Sequence, residues 1–223
     1  MKRNTLFIVA AALLGVLLAA AASATAPEQG WRLRVNGYWI DSSEGRASPG
    51  NTGYRSRVEN SAAAGGGVAG EYRFGPRLGL ELGALGGADN DYTLAFDAGA
   101  IAVTDTMAFG AVCAGLNIHL TPGKKADLYA GPFVAHVTYS DILVGVAPGF
   151  AGSVAVNFAN EIALGASIGV DVPISQSHWI FNAGVKYLAA SPETSLEWGA
   201  VGSRRESASI DPLMVGVGFG YRF

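Results

Sequence analysis

The last eleven residues of the chain alternate between large apolar side chains and, with the exception of Met214, small or polar ones. The apolar positions are Leu213, Val215, Val217, Phe219, Tyr221 and Phe223. Because successive side chains of a strand point to opposite faces, this alternation predicts a strand with one continuous apolar face. A strand that ends on an aromatic residue in this way is typical of a transmembrane β-barrel, whose apolar face contacts lipid. The ending is also similar to the signal that the barrel-assembly machinery recognises, so we expect that machinery as a partner.

The N-terminal segment predicts export. Two basic residues precede an apolar run at 6–22, and Ala22-Ser23-Ala24 has the small-residue spacing of a signal-peptide cleavage site. The run approaches the length of a membrane-spanning helix, but no basic stop-transfer segment follows it. We therefore expect a signal peptide at 1–24 and one barrel domain at 25–223.

Composition limits what the exported chain can bind. The full chain has 15 basic and 18 acidic side chains, and the signal peptide removes two of the basic ones, so nucleic acid is not an expected partner. After residue 24 no uncharged apolar run is long enough for a spanning helix, so strands must cross the membrane. Cys113 is the only cysteine, which excludes an intramolecular disulfide. No motif for a metal ion or a nucleotide is found, and we expect no cofactor.

The alternation predicts eight strands, an even number. They lie at 31–41, 65–74, 78–88, 106–120, 127–139, 160–172, 178–188 and 209–223. Short connections at 75–77, 121–126 and 173–177 alternate with long ones at 42–64, 89–105, 140–159 and 189–208. Outer-membrane barrels have short periplasmic turns and long external loops, so both termini should face the periplasm. The predicted fold is an all-β, eight-stranded antiparallel transmembrane barrel, integral to the cell outer membrane.

Single strands predict which face contacts lipid. In the first strand Trp31, Leu33, Val35 and Trp39 should face lipid, in the fifth Tyr129, Phe133, Val137 and Tyr139, and in the seventh Trp179, Phe181, Val185 and Tyr187. A soluble ligand-binding barrel would invert this pattern, with apolar residues inside. The outward Trp and Tyr residues make that alternative the poorer one.

The opposite faces predict a lumen with two zones. The periplasmic half collects a polar floor of mixed charge: Arg32, Arg34, Glu71, Arg73, Glu81, Asn117, His119, Asp171 and Arg222. An eight-stranded barrel is just wide enough for side chains to fill it, so these groups should pair across the lumen and close it. The external half collects apolar residues: Tyr38, Ile40, Leu85, Met107, Phe109, Val134, Leu188 and Met214. This half is either an apolar well that binds apolar molecules or a filled core.

Two prolines fall within predicted strands, Pro132 in the fifth and Pro212 in the eighth. Proline lacks a backbone donor, so local unpairing is expected at both positions. One of the two gaps is a possible lateral opening from the lumen to the bilayer. A bulge that only adjusts curvature is the alternative.

Several segments resemble the OmpW family of outer-membrane proteins. They are Ile210-Asp211-Pro212-Leu213 followed by Gly218-Phe219-Gly220-Tyr221-Arg222-Phe223, Trp31-Arg32-Leu33-Arg34, Leu128-Tyr129-Ala130-Gly131-Pro132, and Gly165-Ala166-Ser167-Ile168-Gly169-Val170-Asp171. The resemblance implies an eight-stranded barrel that lets small hydrophobic molecules cross the outer membrane through a narrow apolar lumen with a lateral exit. The first loop, 42–64, departs from the family in being rich in Gly, Ser and charge, and residues that narrow the lumen in some relatives have no clear counterpart.

Two other functions remain open. An enzyme acting on lipid A would need a nucleophile beside a base, and His136 with Thr138 is the nearest pair. No carboxylate is evident to orient that imidazole, so we expect no enzyme and no catalytic residue. The second alternative is a structural or surface-interaction barrel, adhesin-like, with a filled lumen and functional loops. Arg55, Arg57, Arg204 and Arg205 would then contact lipopolysaccharide phosphates.

Overall fold

The computed structural model of the chain describes residues 29–42, 54–57, 63–96, 101–144, 154–198, 202–207 and 209–223. The strands are β1 (Gly30–Asp41), β2 (Tyr54–Arg57), β3 (Ala63–Arg73), β4 (Leu78–Phe96), β5 (Ile101–His119), β6 (Asp127–Tyr139), β7 (Ile142–Val144), β8 (Val154–Phe158), β9 (Glu161–Pro173), β10 (Trp179–Ala189), β11 (Glu193–Trp198), β12 (Gly202–Ser207) and β13 (Leu213–Arg222). Among these residues no helix is long and apolar enough to cross a membrane. The expected signal peptide at 1–24 lies outside the described residues.

Eight of the strands close into a ring. Neighbours around it run in the order β4, β3, β1, β13, β10, β9, β6, β5, and β5 pairs with β4 to complete the circle. Every pairing in the ring is antiparallel. Closure satisfies the backbone groups that an open sheet would leave unpaired in lipid. The predicted eight-stranded antiparallel barrel is therefore confirmed.

The prediction implied that the long connections contain no regular structure, but several of them contain strands. β4 and β5 have 19 residues each, whereas a tilted strand needs about ten to cross the membrane, so this hairpin continues beyond it. The β4–β5 register shifts between Gly87 and Asn90, and β2 adds to the extended part of β4. β7, β8, β11 and β12 form a second sheet at the same end. These segments still pair as strands, but their sequences lack the alternation of lipid-facing apolar residues on which the prediction depended.

The outer surface of the ring is apolar, as expected for lipid contact. Trp31, Val35, Trp179 and Phe219 are each more than half exposed, whereas residues that alternate with them, such as Arg32, Arg34 and Ile180, are buried. Aromatic rings gather near the short-turn end: the ring centroids of Trp179 and Tyr221 are 5.3 Å apart, and those of Tyr221 and Phe223 are 5.0 Å apart. Such a girdle suits a membrane interface.

The prediction for the fifth predicted strand, β6, was wrong. Tyr129, Phe133 and Val137 point into the barrel and are buried, and Tyr139 is half-buried against the apolar cluster inside it. Val134 instead points outward and is 39% exposed. The neighbouring strand explains the inversion: Tyr129 lies opposite Gly169, and Phe133 lies opposite Gly165. An aromatic ring can enter so narrow a lumen where the facing position is glycine, because a Cβ at Gly165 would lie only 2.2 Å from Cζ of Phe133.

Candidate functional site

Arg34 lies at the centre of the polar floor. Its Nη2 donates to Oε2 of Glu71 at 2.5 Å and to Oδ2 of Asp171 at 2.7 Å, and its Nη1 donates to Oε2 of Glu81 at 3.1 Å. Nε completes a fork by donating to Oδ1 of Asp171 at 3.1 Å. The guanidinium carbon also lies 4.8 Å from the ring centroid of Tyr129. One buried cation thus connects carboxylates from β3, β4 and β9 across the lumen.

A second layer lies nearer the short turns and is centred on Asp127. Oδ2 of this carboxylate accepts from Nη1 of Arg73 at 2.9 Å and from Nη1 of Arg32 at 3.1 Å. His119 bridges the two layers, with Nδ1 at 3.0 Å from Asp127 and Nε2 at 2.6 Å from Oε1 of Glu71. An imidazole between two carboxylates can donate to both only when both ring nitrogens carry hydrogen.

Lys186 and two asparagines complete the upper edge of the floor. Nζ of Lys186 donates to Oε1 of Glu81 at 2.7 Å, and Nδ2 of Asn117 donates to Oε2 of the same carboxylate at 3.1 Å. Asn182 donates to Oδ1 of Asp171 at 2.8 Å and to the Tyr129 hydroxyl at 2.9 Å. Each carboxylate therefore has several donors, which compensates for removal from water.

The external half of the lumen is filled by apolar side chains. One buried cluster contains Ile40, Ala63, Leu85, Phe109, Ala111, Cys113, Phe133, Ala135, Val137, Ala163, Leu188, Ala190 and Met214, with Tyr38 and Tyr139 packed against it. A cavity of about 20 Å³ remains where this cluster meets the floor, lined in part by Arg34, Tyr38 and Lys186. A space of that size holds about one water molecule and is far too small for a hydrophobic molecule in transit.

The predicted lumen residues can now be placed. All nine of the predicted floor residues lie inside the barrel and are buried. Of the eight predicted apolar residues, Tyr38, Ile40, Leu85, Met107, Phe109, Leu188 and Met214 face inward, and Val134 does not. The prediction omitted Asp127, Tyr129, Asn182 and Lys186 from the floor. Asp127 was the usable signal, because a carboxylate must face the lumen and Tyr129 and Phe133 share its side of the strand.

The two prolines differ. Pro132 lies within β6, and the β5–β6 ladder is interrupted beside it: the pair Gly115–Phe133 is followed by Ile118–Ala130, with no pair between them. Pro212 was wrongly assigned to a strand, because β13 begins at Leu213. The carbonyl of Pro212 accepts from the Leu188 amide at 3.1 Å, so this junction is joined to β10 and offers no opening.

His136 and Thr138 both point outward on β6 and are exposed. The Thr138 hydroxyl donates to the carbonyl of Gly110 at 3.2 Å, which gives it a structural partner. The described residues also include no group of three or more His, Cys, Asp or Glu side chains that could hold a metal ion.

Comparison with known proteins places the fold. The model of the family described as "Outer membrane protein beta-barrel domain" matches residues 9–223. OprG from Pseudomonas aeruginosa is 19% identical with a TM-score of 0.72, covering 88% of this chain and 97% of OprG. AlkL is 16% identical with a TM-score of 0.60, covering 91% and 94%, and E. coli outer membrane protein W is 17% identical with 0.54, covering 88% and 98%. No curated protein sequence matches the chain.

The family match spans nearly the whole chain, and the solved outer-membrane barrels share its ring of eight strands. The resemblance to OmpW noted from the sequence is thus confirmed for the fold. The short-turn end, with the polar floor, is the periplasmic end, and the end with the second sheet is external. The chain therefore belongs to the outer-membrane β-barrel family and is an integral protein of the outer membrane.

Proposed function

We propose that this barrel passively admits small hydrophobic molecules at its external end and releases them sideways into the membrane. The observation that carries the proposal is the position of the β5–β6 interruption. Above it lies the pair Gly115–Phe133, whose phenyl ring belongs to the apolar cluster, and Asn117 of the polar floor lies at the interruption itself. The gap in the ladder therefore lies where the apolar zone ends and the floor begins.

The floor supplies the reason for a lateral route. An apolar molecule moving along the barrel axis would have to separate the contacts of Arg34 with Glu71, Glu81 and Asp171, and it could replace none of them. Separating buried charges without new partners costs several kcal/mol, about 3–5 when one partner is lost. The bilayer beside the interruption is apolar, so sideways release has no such cost.

Entry requires the apolar side chains to rearrange. Met107 and Met214 are unbranched and adaptable, and Met107 is 1% exposed while Met214 is fully buried. The Phe133 ring lies against Gly165. The Nζ of Lys186 lies over the same ring, 5.3 Å from its centroid. A guest that displaces these side chains replaces one set of apolar contacts by another.

A structural or surface-interaction barrel is the second candidate, and the filled lumen favours it. The cavity of about 20 Å³ is too small for a transported molecule without movement. In that function the external sheet of β7, β8, β11 and β12 would present the binding surface. Contact of Arg205 with lipopolysaccharide phosphates, and of β13 with the assembly machinery, remain proposals under either function.

Flux into proteoliposomes separates the two candidates. We would reconstitute the refolded barrel and follow the entry of an apolar probe and a charged probe of similar size against protein-free vesicles. Passage predicts faster entry of the apolar probe alone. Equal rates with and without protein would overturn the proposal and leave the surface function.

A disulfide lock tests the exit. Cys113 on β5 lies opposite Ala135 on β6, and both side chains are buried in the lumen close to the interruption. In Ala135→Cys, oxidation should join the two strands at the spacing an antiparallel pair provides. We expect oxidation to slow apolar flux and reduction to restore it, with Ala135→Ser as the matched control. Flux unaffected by the lock would exclude an exit between these strands.

A further inference from the structure

Three arginines surround a small cavity at the periplasmic end of the barrel, below the floor. The cavity has a volume of about 10 Å³ and is lined by Arg32, Arg73 and Arg222 together with Gln29, Gly30, Trp31 and Phe223. The three arginine residues are at most 8% exposed. We propose that this cavity is a binding site for one small monovalent anion of halide size, reached from the periplasm.

Unpaired donors on the same three arginines support the site. Nη2 of Arg32, Nε of Arg73 and Nε of Arg222 are buried and have no hydrogen-bond partner among the described residues. A buried guanidinium N–H without a partner is costly, and all three belong to residues that line this one cavity. Oδ1 of Asp127 is also unpaired, but Asp127 does not line the cavity.

The charge balance of the floor points to an anion. Its carboxylates are Glu71, Glu81, Asp127, Asp171 and the α-carboxylate of the last residue, Phe223, which lines the cavity. Its cations are Arg32, Arg34, Arg73, Lys186, Arg222 and His119, whose two ring nitrogens each lie within 3.0 Å of a carboxylate oxygen. One positive charge is therefore left over. Among these six cations Arg222 is the one with no ion pair to a described residue, and its Nη2 donates to the Ser177 carbonyl at 3.0 Å. A monovalent anion beside Arg222 would neutralise the excess, which a water molecule could not do.

The size of the cavity selects the class of anion. A volume of about 10 Å³ is close to the space of one water molecule. Chloride and bromide are somewhat larger, so the arginine side chains must move slightly outwards to admit them, whereas a bulky organic anion such as gluconate cannot enter. Charge-assisted bonds from guanidinium groups are among the stronger ones, so a single atom can be held by several donors.

Bromide gives a direct test on the unaltered barrel. Crystals of the refolded protein soaked in bromide should show one anomalous scattering peak within contact distance of Arg32, Arg73 and Arg222. A peak there supports the site. Its absence, with bromide peaks elsewhere in the same crystals, overturns it.

Thermal unfolding in detergent tests the same site in solution. At equal ionic strength, replacing gluconate by chloride should raise the Tm by roughly 3–5 °C once chloride exceeds the Kd about tenfold. Arg222→Gln should abolish that difference, whereas Arg77→Gln, an exposed arginine at the same end, should keep it. A chloride effect unchanged in Arg222→Gln would reflect general salt effects and would contradict the proposal.

A side-chain carboxylate close in sequence to the cavity is a further competitor. Glu28 precedes Gln29 in the sequence, so the titration is repeated with Glu28→Gln. Equal chloride effects in the two proteins support an exchangeable anion. A chloride effect seen only in Glu28→Gln would show that the chain supplies its own counter-ion, which overturns the proposal.

Discussion

The two halves of this lumen are both filled, but by opposite chemistry. In the periplasmic half the contacts join specified atoms, such as Nη2 of Arg34 and Oε2 of Glu71 at 2.5 Å. In the external half they are undirected contacts among side chains such as Leu85, Phe109 and Met214. A network of charges cannot lose one partner without leaving another unpaired, whereas apolar side chains can exchange neighbours at little cost. One half is built to stay closed, and the other can repack.

The boundary between the halves is narrow. Lys186 donates to Glu81 of the floor and also lies 5.3 Å from the Phe133 ring centroid of the apolar cluster. Substitutions in the floor and in the apolar half should therefore lower the free energy of unfolding for different reasons and by different amounts.

Removing the central cation of the floor should have the largest effect on stability. Arg34→Met leaves Glu71, Glu81 and Asp171 short of a donor, and we expect the free energy of unfolding to fall by about 3–5 kcal/mol. The matched control is Arg205→Met in the external sheet. Its guanidinium pairs with Glu193 at 3.6 Å, but the side chain is 79% exposed, so the loss should be below about 0.5 kcal/mol. Urea titration in detergent measures both, and similar losses would mean that burial of the floor is not what makes it rigid.

Truncation in the external half should cost less. Leu188→Ala removes a side chain that is 1% exposed, and we expect a loss of about 3 kcal/mol from transfer and cavity formation together. Leu164→Ala, at a position 69% exposed to lipid, should cost about 2 kcal/mol, because lipid chains fill the space that is left. The difference isolates the cavity contribution and is read from the same urea titrations. A loss at Leu188 equal to that at Leu164 would show that the apolar core collapses around the gap.

The same contrast separates what the sequence predicts from what it does not. β1 could be assigned at once, because Trp31 and Val35 alternate with Arg32 and Arg34 and only one orientation keeps charge out of lipid. β6 carries apolar residues on both faces, so alternation alone could not decide it. Asp127 is the residue whose charge indicates the inward face, whereas the space for the Phe133 ring comes from Gly165 on the facing strand and depends on the register between strands.

The register between strands also limits how many of the side-chain pairs in the floor could be predicted from the sequence. Its residue types were readable strand by strand, but the pairing of Arg34 with Asp171 joins positions 137 residues apart. Lys186 was not predicted in the floor, and its partner Glu81 lies four strands away around the ring. The position of Pro212 depended on a local feature, the positive φ of 39° at Asp211, beside which the regular strand β13 begins only at Leu213. No pattern of apolar residues signals that angle.

The smallest expected effect concerns a single methyl group. In Gly165→Ala the new Cβ would lie 2.2 Å from Cζ of Phe133, so the ring must move towards Lys186, and we expect a loss of about 1–2 kcal/mol. Gly37→Ala is the matched control: a Cβ at that lipid-facing position meets nothing within 4 Å, and stability should be unchanged or slightly higher.

A second substitution shows whether the ring is responsible. If the Gly165→Ala loss comes from contact with Phe133, then Phe133→Leu should make the alanine nearly neutral, and a double-mutant cycle from urea titrations gives the coupling. A coupling energy near zero, with a stability loss in Gly165→Ala as small as that in Gly37→Ala, would mean that the Phe133 ring moves aside at little energetic cost. That result would weaken the glycine explanation for the orientation of β6, yet it would strengthen the view that the apolar half can rearrange while the floor cannot.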